Sequence, residues 1–253
     1  MKAPAKRRLD VIMVERGLAE TRDWAQRLIR AGEVRVNAQV IDQPAKLFAD
    51  DIDIAVQNPP QYVSRGGRKL AGALDHFQIN PTGLVCADVG SSTGGFTDCL
   101  LQRNAAKVFA IDVGNNQLHW KLRNDPRVVI MEKVNVRYLE ALPEPIQFAV
   151  IDVSFISLSM ILPRVFDWLH RAEEQGSEGH IVALIKPQFE AGRDKVGRGG
   201  IVRDPEVHQE VVDRITAFCT SLGWDVRGLM VSPILGMDGN KEFLIWLSER
   251  HTS

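Results

Sequence analysis

Apolar and polar positions follow two different patterns along the 253-residue chain. In the N-terminal part, amphipathic spacing predicts short helices over 9–16 and 22–31. Thr21 is suited to cap the second helix, and Gly32 to end it in the left-handed conformation. The residues EVRVNAQVID then alternate around Asn37-Ala38, which predicts a small hairpin. This part of the chain is therefore expected to form a small α+β domain.

Beyond Pro59-Pro60 the pattern alternates between strands and helices. Consecutive prolines continue neither a helix nor a strand ladder, so 59–64 is interpreted as a linker between domains 1–58 and 65–253. After a helix at 68–77, apolar runs predict strands over 84–89, 107–111, 127–131, 147–152, 180–186, 225–231 and 242–247, and helices over 95–103, 116–122, 157–170 and 205–222. This alternation predicts an α/β fold with a seven-stranded, mostly parallel sheet. The last strand, which no helix separates from its predecessor, is expected to run antiparallel.

Composition and charge narrow the possible functions. The net charge is −1, so a nucleic-acid surface requires local clustering of bases, and residues 1–40 hold nine Lys and Arg against five acids. Three cysteines are too few and wrongly spaced for a disulfide framework or a zinc site, which favours a reducing cytosol. The start of the chain lacks the apolar core of a secretory signal, and polar residues interrupt the most apolar region, Phe148 to Leu162. No membrane span and no metal site is expected.

The stretch DVGSSTGGFTD follows a predicted buried strand and precedes a helix. Gly90, Gly94 and Gly95 let the backbone approach a ligand, and the helix starting near Phe96 points free N–H groups toward it. Asp112 ends the next strand, 22 residues after Gly90, where an acid can bind ribose hydroxyls. The pattern favours an adenosine-type cofactor, and its glycine spacing favours S-adenosylmethionine over a dinucleotide. A tight turn beside a solvated Asp112 is the alternative.

Four further residues are predicted to meet at the carboxyl edge of the sheet. Asp152 and Lys186 end strands, Glu242 begins the antiparallel strand, and Lys69 lies in the helix that opens the domain. A positive charge beside Lys186 favours its neutral amine, which can accept the proton of a weakly acidic hydroxyl, while the two acids orient the lysines. Taken one at a time, each of these residues is equally compatible with a solvated surface charge.

The segment after Lys186 is glycine-rich and basic. From Lys186 to Arg203 it holds five bases against two acids, and loops of this length are usually functional or disordered. It is interpreted as a flexible flap that closes on phosphates. Ser154, Ser157 and Ser159 lack the context of a hydrolase nucleophile, and one of them is expected to cap the helix at 157–170.

The motifs YVSRGGRKL, ADVGSSTGGFTD, AIDVG, IDVSFISL, LIKPQFEAGR, GRGGIVRDP and GNKEFL, in this order, closely resemble the TlyA family of bacterial ribosomal RNA ribose methyltransferases, historically labelled hemolysins. The resemblance covers nearly the whole chain. It implies an αL RNA-binding module followed by an FtsJ-like, Rossmann-like methyltransferase that uses S-adenosylmethionine. The implied substrate is a ribose 2′-hydroxyl, of a cytidine, in ribosomal RNA or ribosomal subunits, and no obligate protein partner is indicated.

The resemblance also implies roles for individual residues. The family's catalytic tetrad falls on Lys69, Asp152, Lys186 and Glu242. The cofactor-binding positions are Asp88, Gly90, Ser92, Gly94, Gly95, Phe96, Asp112 and, on the adenine side, Asn135. RNA contacts are expected from Lys6, Arg7, Arg8, Arg22, Arg27, Arg30, Arg65, Arg68, Arg193 and Arg198. Two rival functions stay open: a membrane-active cytolysin, which requires a membrane segment that the sequence does not show, and a non-catalytic RNA-binding ribosome factor.

Overall fold

The structure is a computed structural model that describes residues 6–19, 21–57, 61–173, 179–236 and 239–249. The chain divides into two compact units, Met1–Ser64 and Arg65–Ser253. The proline pair of the predicted linker, Pro59-Pro60, lies outside the described residues. Among the described helices, none combines the length and the apolar composition that crossing a bilayer requires.

The first unit packs two helices against short strands. Its elements are β1 (Arg7–Arg8), α1 (Leu9–Glu15), α2 (Arg22–Arg30), β2 (Val34–Val36), β3 (Gln39–Val40), β4 (Leu47–Phe48) and β5 (Ile54–Val56). Strand β1 pairs with β4, and β3, β2 and β5 form an antiparallel sheet. The predicted helix signals are confirmed, since the Thr21 side chain accepts a hydrogen bond from the backbone N–H of Trp24 and Gly32 has φ +73°. The hairpin turn at Asn37-Ala38 is also confirmed.

The second unit is a seven-stranded sheet flanked by helices. Its strands are β6 (Val85–Val89), β7 (Lys107–Asp112), β8 (Val128–Glu132), β9 (Phe148–Ile151), β10 (His180–Ile185), β11 (Trp224–Val231) and β12 (Phe243–Glu249). Its α-helices are α3 (Gly66–Phe77), α4 (Gly95–Gln102), α5 (Trp120–Arg123), α6 (Leu162–Glu173), α7 (Pro187–Glu190) and α8 (Pro205–Ser221). The strand order is β11-β12-β10-β9-β6-β7-β8, and only β12 runs against the others. The predicted mixed sheet with an antiparallel final strand is confirmed.

Two predicted helices have different limits. The helix expected over 116–122 is only the short α5, because Asn116 adopts a left-handed φ of +57° and the chain stays in turns up to His119. Asparagine tolerates this conformation, which interrupts a helix. The helix expected over 157–170 is split. Ser157 caps a 3-10 turn, Leu158–Met160, and α6 begins at Leu162 with Pro163 in its first turn, where a missing N–H costs nothing.

The topology places the functional edge of the sheet. From β6 the chain continues to β7 on one side, while β9 lies on the other side, so the strand order reverses between β6 and β9. In open α/β sheets, ligands bind beyond the carboxyl ends of the strands at such a reversal. The strands themselves carry buried apolar residues, among them Ala87, Ala149 and Ile151. Polar side chains therefore follow at the carboxyl ends of the strands.

Candidate active site

The glycine turn after β6 has a backbone that only glycine adopts without strain at two positions. Gly90 has φ +85°, and a Cβ atom there would lie 2.5 Å from the backbone oxygen of Asp152. Gly94 has φ +99°, and its Cβ atom would lie 2.2 Å from Cδ1 of Leu122. Helix α4 begins at Gly95, with buried Phe96 next in line, so its first N–H groups face the turn. The turn therefore depends on glycine where it packs against Asp152 and Leu122, and its approach to a ligand stays a prediction.

Asp112 and Asn135 lie at the ends of β7 and β8. The Asp112 carboxylate accepts hydrogen bonds from the backbone N–H of Ser92 at 2.8 Å and of Gly114 at 2.6 Å. It therefore ties the glycine turn to the next loop, and its remaining lone pairs can accept from a ligand. The side-chain Oδ1 of Asn135 accepts a hydrogen bond from the backbone N–H of Arg137, which leaves the side-chain NH₂ group able to donate. Ser92, with φ +47°, is exposed at the tip of the turn.

Asp88, a predicted cofactor-binding residue, lies inside the protein and not at its surface. Its side chain is fully buried, and Oδ2 accepts hydrogen bonds from the backbone N–H and the hydroxyl of Thr97, at 2.8 and 2.6 Å. Oδ1 has no hydrogen-bond partner among the described residues. Burial raises the pKa of this carboxyl to about 7. Asp88 therefore fixes the glycine turn by binding Thr97 in the first turn of α4. The sequence did not indicate that Thr97 takes part in this contact.

The raised pKa of Asp88 predicts a stability that falls with pH. In the unfolded chain the carboxyl ionises near pH 3.8, so between that pH and about 7 the folded protein retains a proton that the unfolded chain loses. The free energy of unfolding should therefore decrease over this range. We expect Asp88→Asn, which cannot ionise, to gain about 2 kcal/mol relative to the parent protein between pH 5 and pH 8. Urea unfolding at both pH values measures this, and parallel pH dependences would contradict it.

The four residues predicted to meet at the carboxyl edge form two ion pairs. Nζ of Lys69 lies 2.6 Å from Oε2 of Glu242, and Nζ of Lys186 lies 2.6 Å from Oδ1 of Asp152. Both pairs are largely removed from solvent, with the Glu242 side chain 3% and the Asp152 side chain 21% exposed. The effect of the Lys69 charge on Lys186 stays a prediction, since the observed contacts join each lysine to a carboxylate. Each lysine is held by its own carboxylate, because opposite charges attract strongly in a poorly solvated site.

Strand register brings the two pairs to one edge. Phe243 of β12 lies opposite Ile185 of β10, so Glu242 and Lys186 extend from neighbouring strands at the same end of the sheet. Asp152 follows β9, and its backbone oxygen is the atom that a side chain on Gly90 would strike. The glycine turn, Asp152 and Lys186 therefore belong to one continuous site.

Three residues of this site were missed in the sequence. Ser154 accepts a 2.9 Å hydrogen bond from Nζ of Lys186. Phe155 is 90% exposed and has φ +64°, a strained conformation for a bulky residue. Its ring centroid lies 5.0 Å from that of Phe189, and the Phe189 ring lies 5.8 Å from Nζ of Lys186. The exposure and the strained backbone of Phe155 are visible only in the folded chain, so no spacing in the sequence reveals these three residues.

The basic loop after α7 is anchored at its base. Gly197 and Ile201 form a β-bridge. The fully buried Asn240 binds the two neighbours of Ile201, accepting from the backbone N–H of Val202 and donating to the backbone oxygen of Gly200. Its outer part, with Arg193 and Arg198, is exposed. The structure thus connects this loop to the segment that carries Glu242, two residues after Asn240.

The basic residues predicted to contact RNA differ in their surroundings. Arg8 and Arg22 both bind Oδ2 of the fully buried Asp10, at 2.8 and 3.0 Å, and Arg7 pairs with Glu15 and Asp50. The charge of these three is thus partly neutralised within the first unit. Exposed bases are Lys6, Arg27, Arg30, Arg65 and Arg68. Arg65 also donates to the backbone oxygen of Leu235.

Comparison with known proteins assigns both parts of the chain. Residues 62–249 match the family described as FtsJ-like methyltransferase, and residues 7–48 match the S4 domain. YqxC of Bacillus subtilis, whose name places it among rRNA methyltransferases, is 51% identical and covers 96% of this chain and 85% of the relative. The 16S/23S rRNA (cytidine-2′-O)-methyltransferase TlyA of Mycobacterium tuberculosis is 43% identical and covers 95% and 89%. A solved structure of a hemolysin-named protein from Streptococcus thermophilus has a TM-score of 0.74 at 45% identity, covering 98% of this chain and 90% of that chain.

Proposed function

Because the chain belongs to the TlyA family of FtsJ-like methyltransferases, it is a methyltransferase enzyme, and we propose that it methylates a ribose 2′-hydroxyl, of a cytidine, in ribosomal RNA with S-adenosylmethionine. The observation that carries the proposal is the Lys186–Asp152 ion pair directly beside the glycine turn. The reaction takes place on ribosomal subunits in the cytoplasm, and no protein partner is part of the proposal.

The residues around the glycine turn suit this cofactor. Gly90 and Gly94 let the turn pack closely against Asp152 and Leu122, and the N–H groups at the start of α4 can donate to a carboxylate. The Asp112 carboxylate can accept from ribose hydroxyls and the Asn135 amide can donate to a base. When bound, S-adenosylmethionine supplies an electrophilic methyl group.

Lys186 is the group proposed to receive the proton of the 2′-hydroxyl. Its amine is fixed by Asp152 and by Ser154, so it can be aligned with a bound ribose. Once the ion-paired ammonium has released its own proton to solvent, the neutral Lys186 amine would accept the 2′-hydroxyl proton, and Asp152 would stabilise the ammonium that results. The ribose oxygen would receive the methyl group that the cofactor supplies, whose bond to sulfur breaks in the same step. The Lys69–Glu242 pair holds the neighbouring strand end and offers a second positive charge near the developing oxyanion.

The first unit is the proposed RNA-binding domain. We assign this role to residues 1–58, joined through 59–64 to the methyltransferase domain 65–253, since the S4 match falls within it. Exposed Lys6, Arg27 and Arg30 are suited to phosphate contacts, with Arg8 and Arg22 held in place by Asp10. Arg65, Arg68, Arg193 and Arg198 provide exposed positive charge in the second unit.

Phe155 is the proposed stacking surface for an RNA base near the tetrad. We expect Phe155→Ala to raise KM for RNA about tenfold, because loss of one stacked base costs ~1–3 kcal/mol. Cofactor affinity should stay unchanged. Steady-state methylation at varied RNA concentration measures this, with Leu229→Ala as the control, since Leu229 is 41% exposed on β11. An unaltered KM in the Phe155 variant would exclude the stacking role.

The proposed function is tested by transfer of labelled methyl from S-adenosylmethionine to purified ribosomal subunits. Product mapping by primer extension that is sensitive to ribose methylation should give a discrete 2′-O-methyl signal at a cytidine. Transfer to a base, or to a different nucleotide, would correct the substrate. Absence of transfer to either subunit, with RNA binding intact, would instead favour a non-catalytic ribosome factor.

A further inference from the structure

Two neighbouring loops carry the Lys186–Asp152 pair. Asp152 begins the loop after β9 and Lys186 begins the segment after β10, and these strands are parallel neighbours. The ion pair at 2.6 Å joins the loops where they leave the sheet. Residues 152–157 have no helix or strand of their own, so other contacts must fix the loop that carries Asp152.

Glu190 supplies the contacts at the far ends of these loops. It ends α7, four residues after Lys186, and its side chain is only 2% exposed. Oε1 accepts a 2.7 Å hydrogen bond from the backbone N–H of Leu158, and Oε2 accepts a 2.7 Å hydrogen bond from the Ser157 hydroxyl. The two loops are therefore joined once at the ion pair and again through Glu190.

A buried carboxylate is an unfavourable choice for stability alone. Burial raises the pKa of Glu190, since it disfavours the charged form, and the nearest ion-pair partner, Arg214, lies 3.9 Å away. A well-packed apolar residue usually stabilises a core as much as a buried charge does. Unlike an apolar side chain, the carboxylate makes directional hydrogen bonds, and its two oxygens bind two specific groups of the opposite loop.

We infer that Glu190 is a positioning residue for methyl transfer, holding the loop of Asp152 against the segment of Lys186 so that the ion pair keeps its geometry. The inference rests on the proposed function. Loss of the Glu190 hydrogen bonds frees the backbone at Leu158, six residues after Asp152, while the glycine turn keeps its own supports in Asp88 and Asp112. The chemical step should therefore suffer and cofactor binding should not, since misplacement by ~1 Å can cost about 10²-fold in rate.

The test compares Glu190→Ala, Glu190→Gln and Val211→Ala in the full-length protein. Val211 is a buried apolar residue of α8, and its truncation lowers stability by a cavity without removing a hydrogen bond of the Asp152 loop. The measurements are kcat per cofactor-binding site, KM for the ribosomal subunit, and cofactor affinity, all well below each variant's unfolding temperature. We expect Glu190→Ala to lower kcat about 10- to 100-fold with both affinities within about twofold.

Glu190→Gln should restore most of kcat, because its amide oxygen still accepts from Leu158 and its amide group can donate to the Ser157 hydroxyl. Val211→Ala should lose stability and keep kcat. An unchanged kcat per binding site in Glu190→Ala would overturn the inference and reduce Glu190 to a stabilising residue. If the parent protein itself transfers no methyl group, the proposed function fails instead, so the two failures are distinguishable.

Discussion

Lys186→Ala should abolish methyl transfer while leaving both substrates bound. Nζ of Lys186 is held 2.6 Å from Asp152 and 2.9 Å from Ser154, so its loss removes the proposed proton acceptor from the site. A positioned acid or base contributes ~10²–10⁴-fold to rate, and we expect a decrease of at least about 100-fold in the single-turnover rate. Cofactor and RNA affinities should change by less than about threefold, because the glycine turn and the basic surfaces stay intact.

The matched control for Lys186 is Lys107→Ala. Lys107 begins β7, at the opposite end of the strands, and pairs with Glu144 at 2.6 Å with its side chain 38% exposed. Removal of this charge should leave the transfer rate unchanged, since exposed ion pairs contribute little. A Lys186 variant that keeps more than a tenth of the parent rate would remove Lys186 from the catalytic role.

Gly90→Ala should destroy cofactor binding and destabilise the second unit. A Cβ atom at this position would lie 2.5 Å from the backbone oxygen and 2.9 Å from the carbonyl carbon of Asp152, in a backbone with φ +85°. Neither atom is the end of a flexible side chain, so the turn or the Asp152 loop must shift. Overpacking and a left-handed alanine together should lower the free energy of unfolding by about 2–4 kcal/mol.

Gly83→Ala separates the clash from the backbone strain. Gly83 has a similar φ of +77°, and a Cβ atom there meets no other atom within 4 Å. This variant should lose only about 1 kcal/mol and bind S-adenosylmethionine normally. Urea unfolding and calorimetric titration with the cofactor measure both effects, and equal cofactor affinity in the two variants would contradict the close approach at Gly90.

Local patterns in the sequence were sufficient for the architecture and for the edge that carries the site. Periodicity acts between near neighbours, so strand and helix order, the antiparallel last strand and the glycine turn were predictable. Because parallel strands end at one edge, the strand-end positions of Asp152 and Lys186 predicted that they meet, and the paired geometry agrees. The limits of α5 and α6 were wrong because Asn116 adopts a left-handed φ and because a 3-10 turn, Leu158–Met160, precedes the start of α6.

Partner choice was decided only by the tertiary structure. Lys69 takes Glu242 from 173 residues away, and Glu190 reaches back 32 and 33 residues to Leu158 and Ser157. Such pairs depend on which groups the folded chain brings within about 3 Å, and no local spacing encodes that distance. The same holds for Asp10, which gathers two predicted RNA-binding arginines around one buried carboxylate. Sequence thus determined which residues reach the site, and packing determined how their charges and hydrogen bonds are shared.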